Sequence, residues 1–76
     1  MTENEGSDEQ TVELGERGIR LGQLLKLVGV ADTGGAAKEL LESGGVLLNG
    51  RPETRRGAQL AVGDVVEAGG LRVRVV

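Results

Sequence analysis

The 76-residue sequence predicts an α+β fold in which two short N-terminal helices pack on a small, mostly antiparallel sheet. Three observations predict it. Leu21, Leu24, Leu25 and Val28 stand at i, i+3, i+4 and i+7, the apolar stripe of a helix, and Ala37, Leu40 and Leu41 repeat that spacing further on. Val46-Leu47-Leu48 then runs into Asn49-Gly50, a strong hairpin signal because both residues tolerate positive φ. Near the end, Leu71, Val73 and Val75 alternate strictly with Arg72 and Arg74, the period of a half-buried strand.

In chain order, the first segment is acidic. The net charge of −3 sums two unlike parts: Met1 to Gly18 carries six acids against Arg17, giving −5, whereas Ile19 onward carries eight bases against six acids, giving +2. Residues 1–16 have only Val12 and Leu14 to bury, too little to offset the entropy of ordering them, so an acidic arm disordered to about Thr11 is expected. Such an arm is either a solvated tail or a competitor that folds over the basic part of the molecule. Val12 and Leu14 alternate with polar neighbours and could form a short strand edge. Residues 17–76 then make up the single domain.

The first helix ends at Gly29, where a left-handed residue commonly closes a helix. Asp32 or Thr33 caps the second helix. Gly34 and Gly35 open that helix at a cost in propensity, which points either to close packing between helices or to an anion approaching the free N–H groups of a helix N-terminus. Lys38 and Glu42, four apart, can pair on its outer face. Gly44-Gly45 ends it, and the Asn49-Gly50 hairpin follows.

That hairpin returns carrying Arg51, Arg55 and Arg56, with Pro52 marking the return strand as a sheet edge because proline cannot donate to a ladder. Residues 57–61 read as a loop with Leu60 and Val62 tucked beneath it. Gly63-Asp64 is a turn, and Val65-Val66-Glu67 and Leu71 to Val75 flank Gly69-Gly70 as a second hairpin. Arg72 and Arg74 on the last strand either extend a basic surface or line a solvated outer face.

Composition excludes several classes of function. The chain has no Cys and no His, which leaves no disulfide, no thiolate chemistry, no zinc ligand set and no imidazole base. It has no Phe, Tyr or Trp, so recognition of nucleic acid by stacking bases on aromatic rings is excluded. A domain of this size buries only about 60% of the surface its unfolded chain exposes, too thin a core for an enclosed active site. Glu53, Glu39 and Glu42 are carboxylates on an open surface, without the burial that tunes a general acid or base, so no catalytic residues, cofactor or metal are expected. There is no apolar run near the roughly 20 residues of a membrane helix and no signal-peptide pattern, and a cytoplasmic protein is expected. Gly69-Gly70 is followed by six further residues, so the free C-terminal Gly-Gly of a ubiquitin-like carrier is missing.

These segments together resemble a known family. The Leu24-Leu25-Lys26 helix, Thr33-Gly34-Gly35, Ala37-Lys38-Glu39-Leu40-Leu41, Val46 before Asn49-Gly50, Glu53-Thr54-Arg55-Arg56 and Val62-Gly63-Asp64-Val65-Val66 are similar to the S-four-type RNA-binding domain, or alpha-L motif, and most to its short stand-alone bacterial members. The resemblance spans about Ile19 to Val75. It implies a non-catalytic domain that binds structured RNA, ribosomal or transfer RNA, in translation or at the ribosome. Carried over position by position, it places RNA contacts at Lys26, Lys38, Arg51, Thr54, Arg55 and Arg56, with Asn49 and Gly50 shaping the turn and Gly34 and Gly35 as places of phosphate approach. Arg55 and Arg56 carry most of that expectation. Ala36 and Leu48 depart from the pattern, standing where many members have polar or basic residues. Guanidinium groups on a hairpin suit bidentate phosphate contacts, and without aromatic platforms recognition should follow RNA shape. A small protein-interaction module using an exposed edge strand is the alternative. Nothing resembles a dimer interface, so a monomer is expected.

Overall fold

The computed structural model describes residues 9–76, arranged as β1 (Glu9–Val12), α1 (Leu21–Leu27), α2 (Gly34–Glu42), β2 (Val46–Leu48), β3 (Arg51–Pro52), β4 (Val65–Ala68) and β5 (Leu71–Val75). The strands form one five-stranded sheet in the order β1-β5-β4-β2-β3. The β2–β3, β2–β4 and β4–β5 pairs are antiparallel, and β1 runs parallel to β5. The α+β class is as expected, with two corrections: a strand precedes the helices, and the sheet is mixed.

The helices end by the same physical device. After α1, the N–H of Gly29 donates to Lys26 O and that of Val30 to Leu25 O; after α2, Gly44 donates to Leu41 O and Gly45 to Leu40 O. Gly29 and Gly44 have φ of 81° and 82°, the left-handed conformation this closure requires. The two helix starts differ. Thr33 caps α2 in the usual way, its Oγ1 accepting from the Ala36 N–H at 3.0 Å. Arg20, at the corresponding position of α1, has no acceptor to offer. Instead the Leu21 N–H donates to Ala58 O at 2.8 Å and the Gly22 N–H to Arg56 O at 2.9 Å, while Gln23 Oε1 accepts from the Arg20 N–H. A helix of 7 residues is unstable alone, and α1 is completed by the loop that follows the first hairpin.

The core is built from aliphatic side chains alone. Leu21, Leu24, Leu25 and Leu41 from the helices meet Val46, Val66, Val73 and Val75 from the sheet, all essentially without solvent exposure. Leu60 joins them, but Val62 does not: it is 66% exposed, because it belongs to the 61–64 turn. That turn is tied by Asp64, whose Oδ2 accepts from the Ala61 N–H and whose carbonyl accepts from the Val75 N–H. Asn49, with φ of 55°, makes the first hairpin turn with Gly50 and also reaches that loop. Its Oδ1 accepts from the Val65 N–H at 2.9 Å and its Nδ2 donates to Asp64 Oδ1 at 3.0 Å. β3 lies at the sheet edge, as Pro52 predicts, but at 2 residues it offers little ladder for strand addition.

β1 begins inside the segment expected to be a disordered arm, at Glu9; residues 1–8, with Glu3, Glu5 and Asp8, lie outside the described residues. Glu9–Val12 pairs with Arg72 to Val75, and the ladder continues through Val76 N–H to Val12 O and Leu14 N–H to Val76 O, both 2.9 Å. Composition missed this strand because its stabilisation comes from pairing with β5 and from Val12 and Leu14 packing at the core margin. Deleting residues 1–12 is therefore expected to lower unfolding stability by about 2 kcal/mol or more, at roughly 0.5–1.5 kcal/mol per lost hydrogen bond plus the apolar contact. Urea unfolding followed by circular dichroism measures it, and an unchanged midpoint would show β1 to be dispensable.

Candidate nucleic-acid interface

The capping of α1 by the 56–58 loop brings three cations together. Arg20 precedes α1, Lys26 lies one face-turn further along it, and Arg56 crosses from the loop toward the start of α2. They line a cleft of about 450 Å³ together with Gly22, Gln23, Gly34, Ala37 and Gly57. Among the described residues, no carboxylate lines it. The guanidiniums lie over bare backbone: a β-carbon at Gly34 would be 3.7 Å from Arg56 Nη1, and one at Gly57 would be 3.7 Å from Arg20 Nη1.

The N-terminus of α2 opens into the same cleft through Gly34. Thr33 takes the Ala36 N–H, and the N–H groups of Gly34 and Gly35 have no acceptor among the described residues. Free N–H groups and the helix dipole favour negative charge there. Yet the first turn of α2 contains no acidic residue, and Arg56 Nη1 lies beside Gly34. A guanidinium beside the positive end of a helix is a repulsive arrangement that an anion would relieve. The close-packing expectation for Gly34 and Gly35 is not met, since a β-carbon at neither would touch α1; the glycines with no room for a β-carbon are Gly22 and Gly45.

The other expected contacts are distributed differently. Arg51 lines a second, open cleft of about 470 Å³ with Leu48, Asn49, Pro52 and Glu53, on the hairpin. Lys38 and Thr54 are exposed outside both clefts, and Lys38 forms no ion pair with Glu42. Arg55 is engaged by its neighbour. Its Nε and Nη2 donate to Glu53 Oε2 and Oε1 at 3.1 and 3.2 Å, and its backbone N–H donates to Oε2 at 2.9 Å. Of the two arginines given most weight, Arg56 enters the cleft and Arg55 is partly neutralised.

On the far face of the sheet, Arg72 and Arg74 are compensated as well. Glu9 bonds to Arg74 and lies 3.9 Å from Arg72, and Glu67 lies 3.9 Å from Arg72. They form a paired outer face rather than an extension of the basic surface. β1 thus contributes the carboxylate that neutralises this side, and Glu9 is turned away from any competition for the cleft. Arg20, Gly22, Gln23 and Gly57 are cleft residues absent from the sequence reading. Arg20, Gln23 and Lys26 recur every third residue on one polar face, a signal the sequence carries; the place of Gly57 depends on the loop's path.

The Arg55 side chain, and secondly its backbone N–H, hold the Glu53 carboxyl at a pKa of about 2 against an ordinary 4.5. The folded-state value is depressed, so the pair's contribution to stability is complete above about 4.5 and disappears as pH falls through about 2. An NMR titration of the Glu53 side-chain carbon is expected to show a midpoint near 2 in the wild type and a return toward the ordinary carboxylate range in Arg55→Ala. An unshifted midpoint in the wild type would contradict the pairing.

Comparison with known proteins agrees with this architecture. Residues 12–76 match the family model described as S4 domain. The chain is 54% identical over 52 residues to a probable ribosome maturation protein, RlbA, of Bacillus subtilis (strain 168), a match covering 68% of this chain and 73% of the relative. It is also similar to the solution structure of YbcJ from E. coli, which is described as revealing an alfaL motif involved in RNA binding. The TM-score is 0.65 at 36% identity, over 87% of this chain and 85% of that one. With a family model spanning nearly all the described residues and a relative this similar, the chain belongs to the S4 domain family.

Proposed function

We propose that this protein binds structured RNA without catalysing a reaction, by seating backbone phosphates in the cleft between the start of α1, the start of α2 and the 56–57 loop. The observation that carries the proposal is the convergence of Arg20, Lys26 and Arg56 on a cleft with no carboxylate among the described residues, in a chain of net charge −3. Arg55, Arg72 and Arg74, by contrast, are matched by Glu53, Glu9 and Glu67. Three cations gathered in one cleft favour a polyanion at that place.

The groups suit phosphate. Arg20 and Arg56 supply planar, permanently charged forks, Lys26 a mobile point charge, and Gly34 and Gly35 backbone donors. Arg51, on the second cleft, extends the track along the hairpin, with Lys38 and Thr54 at its margin. Base edges have few partners here, so recognition follows the shape and backbone of folded RNA rather than its sequence. The names of the similar proteins, a probable ribosome maturation protein and an RNA-binding motif, support ribosomal RNA as the class of ligand and ribosome assembly as the setting. The protein acts as a monomer in this reading.

Fluorescence anisotropy with a labelled RNA stem-loop tests the site; the chain has no Trp or Tyr, so the RNA must carry the signal. Arg56→Glu and Lys26→Glu are each expected to weaken binding at least about tenfold, the loss of one or more charge-assisted contacts. Lys38→Ala and Thr54→Ala should have smaller effects. Neutralising about five phosphates gives a log–log salt slope of about −3.5 to −4.5. Binding that ignores both salt and the Arg56 substitution would refute the proposal.

A further inference from the structure

Arg56 owes its position to what α1 lacks at residue 22. Gly22 is buried in the first turn of α1, and its N–H donates to Arg56 O at 2.9 Å. A β-carbon there would overlap Arg56 Cγ and approach Arg56 Cδ and Arg56 O at 3.3 Å. The stem of Arg56 therefore lies in the notch left by a missing side chain, and from that notch its Nη1 reaches Gly34 on the other helix.

We infer that Gly22 is the positioning residue for Arg56, setting the direction of its guanidinium across the cleft, an inference that rests on the RNA-binding reading above. Cγ has only one degree of freedom relative to the backbone, rotation about the Cα–Cβ bond. A methyl group at residue 22 can be accommodated only by a different Arg56 rotamer, and rotation at the root of the side chain swings its tip away from Gly34. The carbonyl of Arg56, at 3.3 Å, meets a milder conflict that a small backbone shift relieves. Alanine is also the better helix former, so the substitution has a stabilising component within α1. The glycine gives up helix propensity in exchange for an aimed cation.

The test is a double-mutant cycle with Gly22→Ala, Arg56→Ala and the double variant, each titrated against a fluorescein-labelled RNA stem-loop, with thermal unfolding by circular dichroism alongside. Arg56→Ala is expected to bind about tenfold more weakly, the loss of one charge-assisted contact. Gly22→Ala should lose a similar factor, and the double variant should bind no more weakly than Arg56→Ala alone, because the glycine acts only through that arginine. Wild-type binding by Gly22→Ala, with Arg56→Ala weakened, overturns the inference and leaves the RNA-binding site standing. Full additivity in the double variant overturns it too. An Arg56→Ala variant that binds like the wild type overturns both the cleft site and the inference. If Gly22→Ala fails to fold but the double variant folds, the conflict lies with the Arg56 side chain and the inference is supported. If both fail to fold, the backbone is what requires the bare residue, and the inference is wrong.

Discussion

The first turn of α1 has no side chain of its own to satisfy its backbone N–H groups, and the rest of the structure depends on how they are satisfied. Arg20 stands where an Asp, Ser or Thr would cap the helix, so Leu21 and Gly22 donate to the carbonyls of Ala58 and Arg56 instead. Those bonds draw the post-hairpin loop onto the helix. They also place Leu60 in the core and bring Arg56 across to α2. An uncapped N-terminus, ordinarily a weakness, here fastens two distant parts of the chain and forms the cleft at the junction. The position that could have held a capping side chain holds one of the three cations.

Charge is partitioned by the same arrangement. Arg72 and Arg74, the most regularly spaced bases in the sequence, face a strand from the N-terminal segment and are matched by Glu9 and Glu67. Arg55 is matched by Glu53 two residues away. Arg20, Lys26 and Arg56 make no ion pair with a described residue, and the open start of α2 adds the positive end of a helix dipole to them. In a chain that is acidic overall, three cations thus share one cleft.

Much of this was legible in the sequence, and what was missed has physical reasons. The apolar stripes of Leu21, Leu24, Leu25 and of Ala37, Leu41, the terminating glycines and the Asn49-Gly50 turn are local signals, and each element they imply is present. Resemblance to the S4 family supplied the expectation of RNA binding, and three of the residues it singled out, Lys26, Arg56 and Gly34, line one cleft. β1 was legible only as a short strand edge near Val12 and Leu14, because its stability comes from pairing with β5, more than fifty residues away, and the polar residues before Val12 give no sign of a distant partner. Gly22 and Gly57 were missed for a similar reason: their meaning lies in the arginine stems and tips that pass over them. Arg55 was weighted with Arg56 because adjacent bases look alike in a row of letters, whereas Glu53 distinguishes them once the backbone turns.

The central claim is that RNA phosphates occupy the cleft between the two helix starts and the 56–57 loop. A nitrogen-15 NMR titration of the full chain with an RNA stem-loop tests it most directly, because the cleft is lined by glycine amides with no side chain to obscure them. The largest shifts should fall on the amides of Gly22, Gly34, Gly35 and Gly57 and on the side-chain Nε of Arg20 and Arg56, with the β1–β5 edge unmoved. Shifts concentrated on the face of Arg72 and Arg74, with the cleft glycines unchanged, would contradict the account.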